Sequence, residues 1–328
     1  QVMGAPAWAT NPKFSTLTGR LEHQDEMDVG IEAWTKSLDK YDVMRICQTA
    51  GVPAMPVQSS QDRFENDPQL KHRQIYRDIE HSTLGVWPLQ NAPFKMSGTE
   101  VSNISAAPLI GEHNKQVFEG LLGLSHRDLV DGFADGTFWP TDYDMGPYPY
   151  LKTMMEDGSL VSWTGNSRGP SSPPKPTRTQ DGDSMGAFSG IRVLEIADEK
   201  GQWCGKLMGD MGAEIIKVES IQRIGRGPIN PPSNAGGYPD DDPGNDPWNR
   251  QSNFNAINRN KKSLTLDLKS AVDASTLRRL ITEADVLVEN FRPGSLKKLG
   301  FDYDAGQVCR LFGGRECLQI NAAVQPRH

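Results

Sequence analysis

The stretch from Gly165 to Ala187, GNSRGPSSPPKPTRTQDGDSMGA, decides most about how this chain can fold. Gly, Pro and Ser supply 12 of its 23 residues, and its apolar side chains are Met185 and Ala187. Such a stretch cannot bury enough surface to offset its ordering entropy, so it reads as a linker with proline-stiffened parts. The 328 residues, about two domains by length, are thereby divided into bodies of different texture. Thr137 to Trp163, rich in aromatics and Pro but without a sustained period, reads as an extended arm. With 7 Trp, 11 Phe and 11 Met, the rest of the chain has material for a core, and disorder throughout is excluded.

Before the linker the periodicity is mostly helical. Asp25–Ser37 and Asp39–Ala50 carry apolar residues at helical spacing (Met27, Ile31, Trp34; Val43, Met44, Cys47), the second with Asp39 as N-cap and Gly51 as C-cap. A third helix is expected over Asp67–Ile79, with Pro68 in its first turn. LGVWPLQNAPFKMS reads as short extended pieces, and APLIGEHNKQVFEGLLGLS as a turn followed by an amphipathic helix. Beyond the linker, strands and helices alternate: Ile191–Ile196, a helix over Gly201–Met211, Ala213–Glu219, a polar excursion over Gly225–Arg250, Ser263–Leu268, a helix over Ala271–Ala284, Asp285–Asn290, a short helix from Ser295, and CLQINAAV near the end. Strands every 20 to 30 residues with helices between them imply an α/β fold: an incomplete Rossmann-like parallel sheet with helices on both faces. A mainly helical small-domain and C-terminal portion accompanies it.

Charge narrows the function. The net charge of −7 argues against a general nucleic-acid binder, which needs a basic surface, so an anionic ligand must be held by a local cluster. No apolar run approaches the roughly 20 residues of a membrane span, and no secretory leader is visible. Cys47, Cys204, Cys309 and Cys317 are scattered without CxxC or neighbouring His, so no disulfide framework or zinc site is expected, which fits a reducing, cytoplasmic setting. Because residue 1 is Gln rather than Met, the chain is expected to be cut from something longer.

Four patterns bear on chemistry. Gly201, Gly205 and Gly209 follow the first strand, and Glu219 ends the second, imitating a dinucleotide fingerprint. The spacing is G-x-x-x-G-x-x-x-G, which serves helix-on-sheet packing rather than pyrophosphate approach. NRNKKSLTLDLK places Arg259, Lys261 and Lys262 where a strand begins and Lys269 beyond its end; taken alone it is a solvated charge run. VENFRPGSLKKLG puts Asn290, Phe291 and Arg292 at the carboxyl edge of a strand, where open parallel sheets bind ligands. An amide, an aromatic face and a guanidinium there suit a purine and a phosphate. Glu112 and His113 in GEHN diverge as neighbours and read as a turn capping the next helix rather than a metal pair.

The string GIRVLEI…MGDMGAEIIKVE…NRNKKSLTLDLK…ADVLVENFRPGSLKKLGFDY resembles the N-terminal third of the class III CoA-transferase family, the CaiB/BaiF family that includes formyl-CoA and carnitine CoA-transferases and α-methylacyl-CoA racemase. AGVPAMPVQSSQDRFENDPQL and APLIGEHNKQVFEGLLGLS resemble its C-terminal part. The order is inverted and the family's middle section is not matched. The resemblance therefore implies two fused units: residues 1–136 from the C-terminal part of a first unit, 137–187 the arm and linker, and 188–328 the CoA-binding part of a second. It implies acyl-CoA and a carboxylic acid acceptor as substrates, no prosthetic group, and a nucleophilic Asp that forms an aspartyl-acyl anhydride. That Asp and the family's Gly-rich loop lie in the unmatched section, so no catalytic residue is named. A non-catalytic CoA-binding or scaffolding unit, or a racemase or isomerase of the superfamily, are the alternatives. Relatives form interlocked dimers; this chain is expected to be a monomer or weak oligomer. The resemblance places Leu266, Phe291 and Leu299 against adenine, Lys269 and Lys298 at phosphates, and Asn290 beside them. It also shows departures: DEKGQW at Asp198–Trp203 replaces an Ala-Gly-Pro turn, Lys298 stands where Arg is common, and Ser220 replaces an often basic residue.

Overall fold

The computed structural model describes residues 2–99, 101, 105–129 and 186–301, apart from 199, 221–224, 228–230, 245, 270 and 293. The proline-rich linker, the arm, and the final segment with Cys309 and Cys317 lie outside these residues. Two compact units divide the chain, Gln1–Arg73 and a second from Gln74 onward.

The first unit is helical: α1 (Leu17–Glu22), α2 (Gln24–Thr35), α3 (Lys40–Thr49) and α4 (Pro68–Arg73). The Asp39 carboxylate caps α3 by accepting from Tyr41 N, and Gly51 leaves the helix at φ +76°, a backbone state open to glycine at no cost. Asp67 caps α4, accepting from the amides of Gln69 at 2.8 Å and Leu70 at 2.9 Å. That helix is shorter than its sequence predicts. It stops at Arg73, and Gln74 takes φ +54°.

The second unit opens with a hairpin whose second strand the sequence reads as extended and whose first strand it reads as helix. β1 (Tyr76–His81) pairs antiparallel with β2 (Gly85–Gln90), Tyr76 opposite Gln90 and His81 opposite Gly85. Tyr76–Ile79, expected at the end of a helix, is strand because Ile79, His81 and Leu89 can be buried on one face only with period-2 spacing.

The centre of this unit is a four-stranded parallel sheet of β3 (Arg192–Ile196), β4 (Glu214–Glu219), β5 (Lys261–Thr265) and β6 (Val286–Glu289), in spatial order β5-β4-β3-β6. The helices are α5 (Gln202–Asp210), α6 (Pro247–Arg250), α7 (Ser252–Ile257), α8 (Ala271–Glu283) and α9 (Ser295–Lys298). On one face Leu194, Ile196, Ile216, Val218, Leu264, Leu266 and Leu287 pack with Leu277, Leu280 and Ile281 of α8, joined by Val117, Phe118, Leu121, Leu122 and Leu129. On the other, Val193, Ile215 and Val288 meet Cys204 and Met208 of α5. Gly205 and Gly209 lie against Glu195 and Ile215, and a Cβ on Gly205 would collide with the Glu195 carboxylate. The glycine spacing thus serves close packing of helix on sheet, as its sequence implies.

The outer edge of β5 is covered by residues 105–114. His113 N donates to Ser263 O at 3.1 Å, Gly111 N to Ser263 Oγ at 2.9 Å, and the Asn114 amide both accepts from Thr265 N at 2.9 Å and donates to Thr265 Oγ1 at 2.7 Å. An uncovered edge would invite pairing with another chain. The GEHN turn works as an edge cover. The expected amphipathic helix after it is one wide π turn, Gln116–Leu121.

Candidate functional site

β4 and β5 lie on one side of β3, and the chain then crosses to place β6 on the other. The strand order therefore reverses between β3 and β6, and open parallel sheets bind ligands beyond the carboxyl ends at that reversal. The residues at that reversal are Ala197 and Asp198 from the end of β3, Gly201 before α5, and Asn290 and Phe291 after β6. Asp198 N donates to Asn290 Oδ1 at 2.9 Å, and Asn290 Nδ2 donates back to the Asp198 carboxylate. Lys200 N adds a 3.2 Å hydrogen bond to the same oxygen. A Cβ on Gly201 would sit 2.8 Å from both Ala197 Cβ and Asn290 Cγ, so the two strand ends meet only over a glycine.

Phe291 N is held by Glu289 Oε2 at 2.9 Å, while its ring, like Leu299, packs against the α8-side core. Gly294, at φ +80°, turns the chain into α9. Arg292, Lys298 and Lys269 are exposed, and none forms an ion pair among the described residues. Leu266 is buried in the same core cluster. Lys269 and Leu266 follow β5, whereas Asn290, Phe291, Lys298 and Leu299 follow β6. The sequence motifs do not meet at one point: two strands separate β5 from β6, about 14 Å at ordinary strand spacing.

The first basic group reads differently in three dimensions. Arg259 and Lys261 are buried, not solvated. Arg259 forms a paired contact with Asp210, Nε to Oδ1 at 2.9 Å and Nη2 to Oδ2 at 2.5 Å. Lys261 Nζ reaches Glu195 Oε1 and Oε2 at 3.0 and 2.9 Å, Gln202 O at 2.8 Å and Asn258 Oδ1 at 3.0 Å. Lys217 Nζ joins at 3.4 Å from Glu195 and 3.3 Å from Ala197 O. Burial is the main reason the Lys261 amine is pushed down to about 8, since a charged amine costs most where water is excluded. Glu219, which imitated a ribose-binding acid, is taken up by Arg226, whose Nε lies 2.8 Å from Oε1. Burial would raise that carboxyl, and the guanidinium overcomes it, holding Glu219 below its ordinary range. Arg226 also donates to Pro108 O at 2.8 Å and Asn249 Oδ1 at 3.0 Å, with the Phe254 ring 3.8 Å away.

Fold and strand order together define an α/β unit with a parallel sheet whose order reverses between β3 and β6. Residues 1–114 and 188–307 match CoA-transferase family III, and the chain belongs to that family. An acyl-CoA transferase of Fusarium pseudograminearum is 35% identical over 127 residues, 37% of this chain and 26% of that protein. A succinyl-CoA–D-citramalate CoA-transferase of Chloroflexus aurantiacus is 34% identical over 130 residues, 40% of this chain and 32% of that protein. A formyl-CoA:oxalate CoA-transferase of Bradyrhizobium diazoefficiens is 29% identical over 139 residues, 42% of this chain and 32% of that protein. The chain thus spans between 26% and 32% of the length of these relatives. A solved CaiB/BaiF family protein from Brucella suis shares 30% identity over 41% of this chain and 33% of its own, with a TM-score of 0.33. No helix among the described residues is long and apolar enough to cross a membrane.

Proposed function

We propose that this chain carries the CoA-binding part of an acyl-CoA:carboxylate CoA-transferase. The observation that supports the reading is that Lys269, after β5, Arg292, after β6, and Lys298, at the end of α9, are exposed and form no ion pair among the described residues, in an otherwise acidic chain. A ligand touching both Lys269 and the Phe291 side must be long and must carry anionic groups, as CoA does with its nucleotide phosphates and extended pantetheine arm. Lys269 and Lys298 serve the phosphates as point charges. Phe291 and Leu299 supply the apolar base on which adenine rests, with Asn290 beside them. Leu266, expected there from the sequence, is buried in the core on the β5 side and supports the sheet instead.

In the reaction we assign, a carboxylate attacks the acyl-CoA thioester to give an acyl anhydride and CoA thiolate. The thiolate attacks the anhydride, releasing the donor acid and leaving a CoA thioester on the carboxylate. The acceptor acid attacks that thioester to form a second anhydride, from which the thiolate takes the acceptor acyl group and frees the carboxylate, so that one hard exchange is divided into easier steps. No Asp of this chain matches the family's nucleophile. The residues before 137 and those after 187 belong, on this reading, to two fused units, with the catalytic carboxylate supplied elsewhere. CoA should therefore bind to the chain with no acyl exchange. Calorimetric titration with CoA and an exchange assay with several acyl-CoA donors and carboxylic acids test both halves. Absence of CoA binding removes the CoA assignment, and turnover that survives purification contradicts the missing nucleophile.

A further inference from the structure

A cavity of about 740 Å³ lies beside the hairpin of the second unit, lined by Gln74, Arg77, Asp78, Asn91, Phe94 and Lys95 among others, with no lining residue from the parallel sheet. Its size falls within the range of about 300–1,000 Å³ usual for ligand pockets. β1 has a partner strand on one side only. Side chains of both parities, Gln74 and Asp78 against Arg77, line the cavity, so it follows the free edge of that strand. Its floor is fixed. Gln74 takes φ +54°, a left-handed state that a non-glycine residue adopts at a cost and that gathers at functional sites. Asn91 holds it there: its N donates to Ile75 O at 2.6 Å, its Nδ2 donates to Gln74 O at 3.3 Å, and its Oδ1 accepts from Ala92 N at 2.8 Å. The walls, by contrast, carry unengaged groups. Arg77, Asp78, Lys95 and the Gln74 side chain are exposed, and none forms an ion pair or a side-chain hydrogen bond among the described residues. Phe94 is half-buried. Two cations against one carboxylate make this lining positive in a chain of net charge −7.

We propose that this cavity is a binding site for a nucleoside monophosphate, separate from the strand ends and independent of the CoA reading. Each unengaged group has a counterpart in such a ligand. Arg77 and Lys95 meet the phosphate, the first through its planar fork and the second as a point charge. The Phe94 ring offers a face on which a base stacks. The Gln74 amide, donor and acceptor together, matches the polar edge of a base, and the Asp78 carboxylate accepts from ribose hydroxyls, as acidic residues do in dinucleotide sites. Inorganic phosphate would use the two cations alone.

The test is calorimetric titration of the full chain with AMP, adenosine and inorganic phosphate at low and at moderate salt, repeated on Lys95→Gln, Phe94→Ala and Phe291→Ala. AMP is expected to bind more tightly than adenosine or phosphate. Lys95→Gln should weaken AMP about fivefold at low salt, the effect of a unit charge about 4 Å away in water-like surroundings. The loss should be smaller at moderate salt and absent for adenosine. Phe94→Ala should weaken AMP by at least about fivefold at both salts, and Phe291→Ala should leave AMP binding as in the parent. No AMP binding by the parent overturns the site. AMP binding that survives both Lys95→Gln and Phe94→Ala, or that Phe291→Ala removes, overturns it too, because AMP would then sit elsewhere. Phosphate binding as tightly as AMP would reduce the cavity to an anion patch and overturn the nucleotide assignment.

Discussion

Glu195→Ala is expected to lower the stability of the second unit by about 3–5 kcal/mol, the range for removing one partner of a buried ion pair. Glu195 is fully buried and neutralises two ammonium groups, Lys261 at 2.9 Å and Lys217 at 3.4 Å. Its loss leaves two cations under α5 with main-chain carbonyls and one amide oxygen for partners. Total stabilities of about 5–15 kcal/mol make this a large fraction. Coupling with Lys261→Met should be favourable: the double variant should unfold at higher denaturant than Glu195→Ala alone, because one of the stranded charges has gone. Urea unfolding of parent, singles and double gives the cycle. A Glu195→Ala midpoint within error of the parent would mean that the pair is not buried as described.

Arg226→Met should be nearly as costly and should change the pH dependence in a defined direction. In the parent, Arg226 keeps the folded-state Glu219 carboxyl below its ordinary range. A depressed carboxyl contributes stability above its unfolded value, near 4.5, and loses it as pH falls through the folded value. Without the guanidinium, burial is opposed only by Lys217 and Ser263, and the folded Glu219 must be charged at a cost or protonated. The deficit of the variant relative to the parent should therefore grow as pH rises from about 4 to 7 and shrink in acid, by about 3–5 kcal/mol at its largest. Thermal melts across that range check the sign. A deficit independent of pH would show that the loss is one of packing against Phe254 and Asn249, not of charge.

These two predictions rest on the layer that the sequence concealed. The strands β3, β4 and β6 were legible because RVLEI, EIIKVE and VLVE are short apolar runs bounded by Gly, Asp and Asn turns, and the helices between them because their apolar residues recur at helical spacing. The start of β5 fell two residues before the expected Ser263, because Lys261 and Lys262 look like turn residues. Alternating charges in a strand usually mean a solvated face. A parallel sheet covered by helices on both faces has no such face, so Glu195, Lys217, Glu219 and Lys261 had to be paired inside. That topological argument was available from the sequence and would have found the network. The hairpin was a different failure: YRDIEH has the composition of a helix turn, and only pairing with GVWPLQ makes it a strand. The pattern at a strand end pointed to Asn290, Phe291 and Arg292, and the resemblance added Leu266, Lys269, Lys298 and Leu299; that the two groups lie about 14 Å apart needed the strand order.

The central claim is that CoA phosphates and adenine are held at the carboxyl ends of β5 and β6. It is tested most directly by calorimetric titration of CoA into the parent, Lys269→Ala and Phe291→Ala at two ionic strengths. Loss of a phosphate contact should weaken binding and flatten its salt dependence, whereas loss of an apolar contact should weaken binding with the salt dependence unchanged, because screening acts on charge. The account predicts the first behaviour for Lys269→Ala and the second for Phe291→Ala. Lys269→Ala binding CoA as the parent does at low salt would contradict it.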